Sequence, residues 1–550
     1  MTFLKSIIKR WRQWQPTMRV ETLALLTSLF FSLGCNNLFW KSTLAGRALT
    51  QADTWLFALG VGVALVALHF ILLGLVLNRW TAKPLLALLI VTTAFSSYYM
   101  STFTVFLDPG MLRNVLRTDV KEASELFNVG MLPYLLVFAV LPLLLLFRIG
   151  LRREPMRRAL PIRLVALVVA LLLGGGSIIL LFHDLAPLMR NNKEIRYLIT
   201  PANYLYSLAN VLTTDASNAR RPRLQIGLDA KLADSWQQRK KPALFVFVVG
   251  ETARAANWGL SGYARQTTPE LAKLDVINFS KVTSCGTNTE VSVPCMFSPM
   301  SREEYKSSQH KESLLDVVQR AGVPVLWRDN NSGCKGACDR VPYEDLSNAK
   351  DPQLCQGNEC YDEILLKGLA ERLQRQPGNL LLVLHQKGSH GPAYYLRYPQ
   401  AFEQFKPVCR TNKLQECDRQ SIVNAYDNTL LYTDHFLAST IRLLQQQSGY
   451  RSALWYMSDH GESLGENNLY LHGAPYAFAP ETQTHIPMVQ WISPAFAQST
   501  GLNLDCLRQQ AASQPASHDN LFHSVLGLLD IHTQVYDPAL DLFRTCRSGH

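Results

Sequence analysis

Five apolar stretches fill the first third of the chain, at about 20–40, 55–78, 84–106, 130–148 and 161–182. No other feature restricts the fold as strongly. Each stretch is near the ~20 residues a helix needs to cross the hydrocarbon of a bilayer. The first is long, lacks a clear small-residue cleavage site and is followed by four more, so it reads as a span rather than a signal peptide. The spans carry essentially His69 and few other ionisable residues. Conduits place more charge inside the membrane, which argues against a transporter.

Loop cations set the orientation. Lys5, Lys9, Arg10 and Arg12 precede the first span. Arg79 and Lys83 lie between the second and third, and Arg148, Arg152, Arg153, Arg157 and Arg158 between the fourth and fifth. Such cations mark the cytoplasmic side. Five crossings then deliver the remainder of the chain outside. The net charge of +11 is thereby read as orientation signal, and with the other cations scattered no nucleic-acid partner is expected. Residues 107–129 form a longer outward loop in which Leu112, Val115, Leu116 and Val120 suit a helix lying on the interface or a plain connecting helix. Trp40, Trp55 and Trp80 suit the membrane boundary.

Cysteine agrees with that orientation. Of 11 cysteines only Cys35 lies in the apolar third. The rest fall as Cys285/Cys295, Cys334/Cys338, Cys355/Cys360, Cys409/Cys417 and Cys506/Cys546, the last pair assigned by elimination. Close pairs serve as zinc ligands or as disulfides, but no two Cys-x-x-Cys halves stand at zinc-ribbon spacing. Five disulfides in an oxidising space are expected.

Three regions follow: a five-helix transmembrane domain over 1–182, a bridging helix and linker over 183–240, and an outer catalytic domain over 241–550. In the bridge, Thr200-Pro201 reads as a cap and first helical position, with Tyr204, Leu205, Leu208 and Val211 at helical spacing. From 241 the pattern alternates. Strands are expected at Leu244–Val249, Val323–Trp327, Leu380–Leu384 and Ala453–Met457. Helices are expected at Glu312–Arg320, Asp362–Arg375 and Asp418–Gln446. Alternation of this kind implies an α/β domain with a mostly parallel sheet.

Sites in such sheets lie beyond the carboxyl ends of the strands. Glu251 follows the first strand, His385 and His390 a later one, and Asp459 and His460 another. Two carboxylates and an imidazole suit zinc and leave a fourth position for a reacting group. A metal there sharply lowers the pKa of a bound hydroxyl. The hydroxyl-rich segment 283–295 offers Thr283, Ser284, Thr287, Thr289 and Ser292, and spacing alone does not choose among them. His390 in GSHGP and His472 in YLHGAP suit a second metal or phosphate oxygens, or plain structural hydrogen bonds. His385 reads as structural. Lys335 suits a phosphate or a solvated surface.

The segments VVGETARAANWGLSGY, TSCGTNTEVSVPCMFSPM, LWRDNNSGCKGACD, LHQKGSHGPAYYLRYP, NAYDNTLLYTD and MSDHGESLGENNLYLHG together closely resemble the bacterial phosphoethanolamine transferases that modify lipid A, relatives of the mobile colistin-resistance enzymes. The resemblance covers almost the whole chain. It implies an alkaline-phosphatase/sulfatase-like fold, zinc held by Glu251, Asp459 and His460, and Thr289, the second threonine of CGTxT, as nucleophile and metal ligand. His390 and His472 match residues near the substrate phosphate or a second zinc. Thr287, Asn331, Ser332 and Lys335 match positions lining the phosphoethanolamine pocket, and Glu462 acts from behind the metal ligands. The implied reaction moves phosphoethanolamine from phosphatidylethanolamine to a lipid A phosphate, with loss of diacylglycerol and lower sensitivity to polymyxin. The expected setting is a monomer in the bacterial inner membrane with its catalytic domain in the periplasm. The rival acceptor is another envelope glycan, a periplasmic glucan or the lipopolysaccharide core. A sulfatase is disfavoured because Cys295-Met-Phe-Ser-Pro lacks the C/S-x-P-x-R signature.

Overall fold

The computed structural model describes residues 15–548 apart from 119, 192, 221, 237–238, 306–310, 357–358 and 376–377. The cations Lys5, Lys9, Arg10 and Arg12 lie outside the described residues. The chain forms two compact units, Met1–Leu112 with Phe127–Asn210, and Arg113–Leu126 with Val211–His550.

The first unit is helical. Helices α3 (Ala52–Val76), α4 (Ala82–Phe103), α6 (Met131–Arg148) and α7 (Met156–Leu180) are long and apolar enough to cross a membrane. The first expected span is bent by 59° between α1 (Val20–Gly34) and α2 (Asn37–Thr43). Asn36 sits at the break. Its amide donates to the carbonyls of Phe31 and Thr200, both at 2.7 Å, and its oxygen accepts from Thr200 N at 2.8 Å. The side chain thus bonds one carbonyl of α1 beside the break and ties the break to the backbone of Thr200. Helices α3 and α7 approach closely at small residues. A Cβ on Gly174 would stand 2.8 Å from that of Ala67. Elsewhere α7 turns Leu164, Leu171, Leu172 and Ile179 outward. A short helix, α5 (Pro109–Arg117), closes this unit's first segment and continues into residues grouped with the second unit.

The bridging helix forms as α8 (Ala202–Arg220). Tyr204 and Val211 are buried but Leu205 is 36% exposed, so the inward face is narrower than its spacing suggests.

The second unit is built on a seven-stranded sheet. In chain order its strands are β1 (Ala243–Gly250), β2 (Ile277–Phe279), β3 (Val325–Asp329), β4 (Tyr343–Asp345), β5 (Leu380–His385), β6 (Arg451–Ser458) and β7 (Met488–Ile492), arranged β2-β7-β6-β1-β5-β3-β4. Strands β6, β1, β5, β3 and β4 pair in parallel, and β7 runs antiparallel to both neighbours. Every residue of β1 is buried, the signature of a strand covered on both faces. Phe245, Phe247 and Val249 enter one core, while Leu244, Val246 and Val248 enter the other.

Helices α9 (Thr289–Met296), α10 (Leu314–Arg320), α11 (Leu369–Arg375), α12 (Arg419–Gln446) and α13 (Asp519–Leu528) cover the sheet. Where one helix was expected over 362–375, the chain makes a 3-10 turn at Asp362–Leu366 and restarts at Leu369. Gly368 breaks it with φ +68°, a left-handed conformation that suits glycine. Disulfides join Cys285–Cys295, Cys334–Cys338, Cys355–Cys360, Cys409–Cys417 and Cys506–Cys546, and Cys35 is free and buried.

Candidate active site

The parallel strands end on one edge of the sheet, and four of them each deliver a piece of one site. Gly250 and Ser458 pair across β1 and β6, so Glu251 and Asp459 leave adjacent strands side by side. His460 follows at once. Its Nδ1 donates to Gly461 O at 2.9 Å, which turns Nε2 toward Glu251 Oε1 and Asp459 Oδ2, each 3.4 Å away. None of the three residues is more than 1% exposed. Their ligand atoms lie within 4.8 Å of one another.

Thr289 opens α9. Asn288 caps that helix, accepting from Val291 N at 3.1 Å. The Thr289 hydroxyl donates to Glu251 Oε2 at 3.1 Å and stands 3.5 Å from His460 Nε2. Behind it, buried His518 joins two parts of the site. Its Nδ1 accepts from Cys285 N at 3.0 Å and its Nε2 donates to Ser458 O at 2.9 Å. Burial pushes this imidazole down to about 4, so it is neutral, as those two bonds require.

From β3, Asp329 accepts from Asn331 N at 2.8 Å, and Asn331 Nδ2 donates to Glu251 Oε2 at 2.8 Å. His385, at the end of β5, pairs with Asp329 at 2.9 Å and is structural. Burial opposes its charge, but Asp329 raises its pKa. After β5 the backbone passes so close to Glu251 that a Cβ on Gly388 (φ +54°) would stand 2.6 Å from the Glu251 carbonyl oxygen. Buried Asp362 fastens this loop. It accepts from Lys387 N at 2.7 Å, Gly388 N at 3.0 Å, Gln386 Nε2 at 3.2 Å and Asn330 Nδ2 at 2.9 Å.

The same loop places buried His390 with its ring centroid 5.5 Å from that of His472, which is 4.4 Å from that of His460. Glu462 orients His472. One carboxylate oxygen meets His472 Nδ1 at 3.0 Å, and the other accepts from Tyr394 OH at 3.0 Å. Thr287 spends its hydroxyl on Ala474 O at 2.6 Å, tying down the chain beside His472. Lys335 donates to Ser332 O at 3.1 Å and to Ser332 Oγ at 2.8 Å, inside the Cys334–Cys338 loop. Asn288, Asp329, Asp362, Tyr394 and His518 are site residues that the sequence reading did not single out. Only Asn288 carried a local signal, as a capping residue directly before a helical run.

Two carboxylates this close and this dry oppose each other. Burial, with the Glu251 charge beside it, pushes Asp459 up to about 6. Burial also works to raise Glu251, yet His460 holds it well below the usual carboxylate range. Among the described residues Asp459 Oδ2 has no hydrogen-bond partner although it is buried. An orphaned carboxylate oxygen facing an imidazole nitrogen and a second carboxylate is the donor set of a divalent cation, and one nitrogen with two oxygens fits zinc.

Both regions of the chain match known proteins. Residues 65–216 match the family model for phosphoethanolamine transferase EptA/EptB, and residues 243–531 match the sulfatase model. The chain is 40% identical to phosphoethanolamine transferase EptA of Escherichia coli strain K12 over 548 residues, 99% of each chain. It is 39% identical to the Escherichia coli phosphatidylethanolamine transferase Mcr-1, over 87% of this chain and 90% of that one. A solved structure, the integral membrane lipooligosaccharide phosphoethanolamine transferase A of Neisseria meningitidis, superposes with a TM-score of 0.93 at 39% identity, covering 97% of this chain and 99% of that one.

Proposed function

The chain belongs to the EptA/EptB family of phosphoethanolamine transferases, and from that premise we propose that it moves phosphoethanolamine from phosphatidylethanolamine to a phosphate of lipid A through a covalent intermediate on Thr289. The observation that carries this reading is the Thr289 hydroxyl, buried at a helix start and 3.1 Å from Glu251. A zinc ion held by Glu251, Asp459 and His460 would, when bound, lower the pKa of that hydroxyl and offset charge on the phosphoryl oxygens.

The residues do the rest. Glu251 Oε2 accepts the hydroxyl hydrogen bond and aims Thr289 Oγ1. That oxygen attacks phosphorus as its proton passes to Glu251 Oε2, the bond from phosphorus to the diacylglycerol oxygen breaks, and a phosphoethanolamine-threonine ester forms. The departing oxygen needs a proton. His472, its Nδ1 held by Glu462, presents Nε2 to supply one. An oxygen of the acceptor phosphate then attacks the same phosphorus and gives its proton to His472 Nε2, the threonine ester breaks, and Thr289 takes its proton back from Glu251. His390 and Lys335 offer further donors to phosphoryl oxygens. The acceptor gains an amine, so the outer membrane attracts polymyxin and other cationic peptides less. The disulfides suit a catalytic domain in the periplasm and spans in the inner membrane.

Mass spectrometry of lipid A from cells with and without the chain tests the reading. One added phosphoethanolamine per lipid A is expected, made in membranes without chelator, abolished by chelator and restored by zinc. Unchanged lipid A, or transfer indifferent to chelator, would overturn it.

A further inference from the structure

Glu290 follows the nucleophile directly. Its side chain is 3% exposed. One carboxylate oxygen is bound by Arg117, while the other, Oε2, is buried and has no hydrogen-bond partner among the described residues. Leaving a buried carboxylate oxygen unmatched is unfavourable, so the position calls for another N–H donor. Arg117 is an incomplete match. Its side chain is 46% exposed, and its second nitrogen reaches Asp215 Oδ2 at 3.2 Å. Asp215 is also paired with Arg113, again at 3.2 Å. Arg113, Arg117, Asp215 and Glu290 all belong to the second compact unit.

The donor lipid supplies what Glu290 lacks. Its headgroup ends in an ammonium with three N–H donors, joined to phosphorus through a short O–C–C chain. When Thr289 attacks phosphorus, that ammonium lies within a few bonds of the attacked atom, and Glu290 is near the same phosphate: burial raises its carboxyl, while the charges of Arg117 and of Lys335, a donor to the phosphoryl oxygens in the reading above, oppose that rise. We propose that Glu290 receives the donor's ammonium group and that Arg117 is its placeholder, swinging onto Asp215 when the headgroup arrives. This inference rests on the donor assignment above and adds the selection of the headgroup. A carboxylate made for an ammonium rejects a headgroup that lacks one, because its own oxygens are then left unmatched.

The test uses the full chain in proteoliposomes with lipid A and two donors. One is phosphatidylethanolamine and the other phosphatidylpropanol, whose headgroup replaces the ammonium with a methyl group. The wild type is expected to prefer the first by about 10- to 100-fold in kcat/KM, the range for losing a hydrogen bond to a charged group. Glu290→Gln should raise KM for phosphatidylethanolamine and bring the two donors to within a few-fold of each other. Glu290→Asp should recover part of the preference. Arg117→Ala should lower KM for phosphatidylethanolamine, since the competing cation is gone. Equal preference in wild type and Glu290→Gln would overturn the ammonium site, and a higher KM in Arg117→Ala would overturn the placeholder. A wild type that transfers from neither donor would instead sink the donor assignment itself.

Discussion

Several buried hydroxyls of the helical unit and the acidic cluster of the sheet unit treat their polar atoms differently. In the helices, Thr27 and Ser28 donate to the carbonyls of Leu23 and Ala24 one turn back, at 2.9 and 2.8 Å, and Ser97 donates to Cys35 O at 2.7 Å. Each hydroxyl closes on nearby backbone. In the sheet unit, Glu251, Asp459 and His460 face one another and leave an oxygen open. The outer surfaces differ in the same sense. Leu171 and Leu172 of α7 are 64% and 68% exposed, whereas β1 is buried throughout. A hydrocarbon solvent rewards closing every polar group locally. A reaction centre needs groups that are not closed, and the remaining fold must hold them in place.

Four measurements test that contrast. The largest effect is expected from Thr289→Ala, which removes the proposed reacting hydroxyl and leaves the surrounding packing in place. Transfer should fall by roughly 10⁴-fold or more while Tm stays within experimental scatter, read from a lipid A assay and thermal unfolding of the same preparation. A large loss of Tm would show that the hydroxyl is closed structure after all. Asp362→Ala comes next. It frees the backbone N–H groups of Lys387 and Gly388, so the His390 loop should loosen and kcat/KM drop about 10- to 100-fold, the usual penalty for a misplaced group near the chemistry.

The third measurement concerns His435, on α12. Glu363 and Glu270 hold its imidazole up to about 9, with Glu270 at 2.7 Å. The folded state therefore binds this proton more tightly than the unfolded state. The stabilisation is complete below pH 6.5 and disappears as pH rises through about 9. His435→Gln should remove at most about 2 kcal/mol at pH 6, because solvent partly screens the pair, and should flatten the fall of Tm between pH 7 and 9. A parallel decline in both proteins would place the pH dependence elsewhere. Ser28→Ala should have the smallest effect, about 0.6 kcal/mol on unfolding, the mean for such bonds in membranes. A loss several times larger would erase the distinction between the units.

Much of this was legible in the sequence, for reasons that differ by element. Strand β1 announced itself because Leu244–Val249 is an unbroken apolar run, as double-sided burial demands. Glu251, Asp459 and His460 stood out because each follows such a run. Thr289 stood out only through the resemblance, since five hydroxyls in one short segment are equivalent by spacing. The bend at Asn36 was not readable, because the partner that stabilises it, Thr200, is 164 residues away. Asp362 was hidden for a similar reason. It looks like a helix-opening acid, and its real work is on the backbone of residues 387 and 388. His518 likewise matters only through Cys285 and Ser458. Local pattern marks what a residue is made of, while long-range bonds decide what it holds.

The adjacency of β1 and β6 has a further consequence, for the order of synthesis. Their ends touch at Thr252 and Asp459, which are 207 residues apart in the chain. On the proposed mechanism, a partly synthesised chain that stops before the second strand has Thr289 but neither Asp459 nor His460, so its hydroxyl stands beside an incomplete ligand set and the unfinished copy is inert.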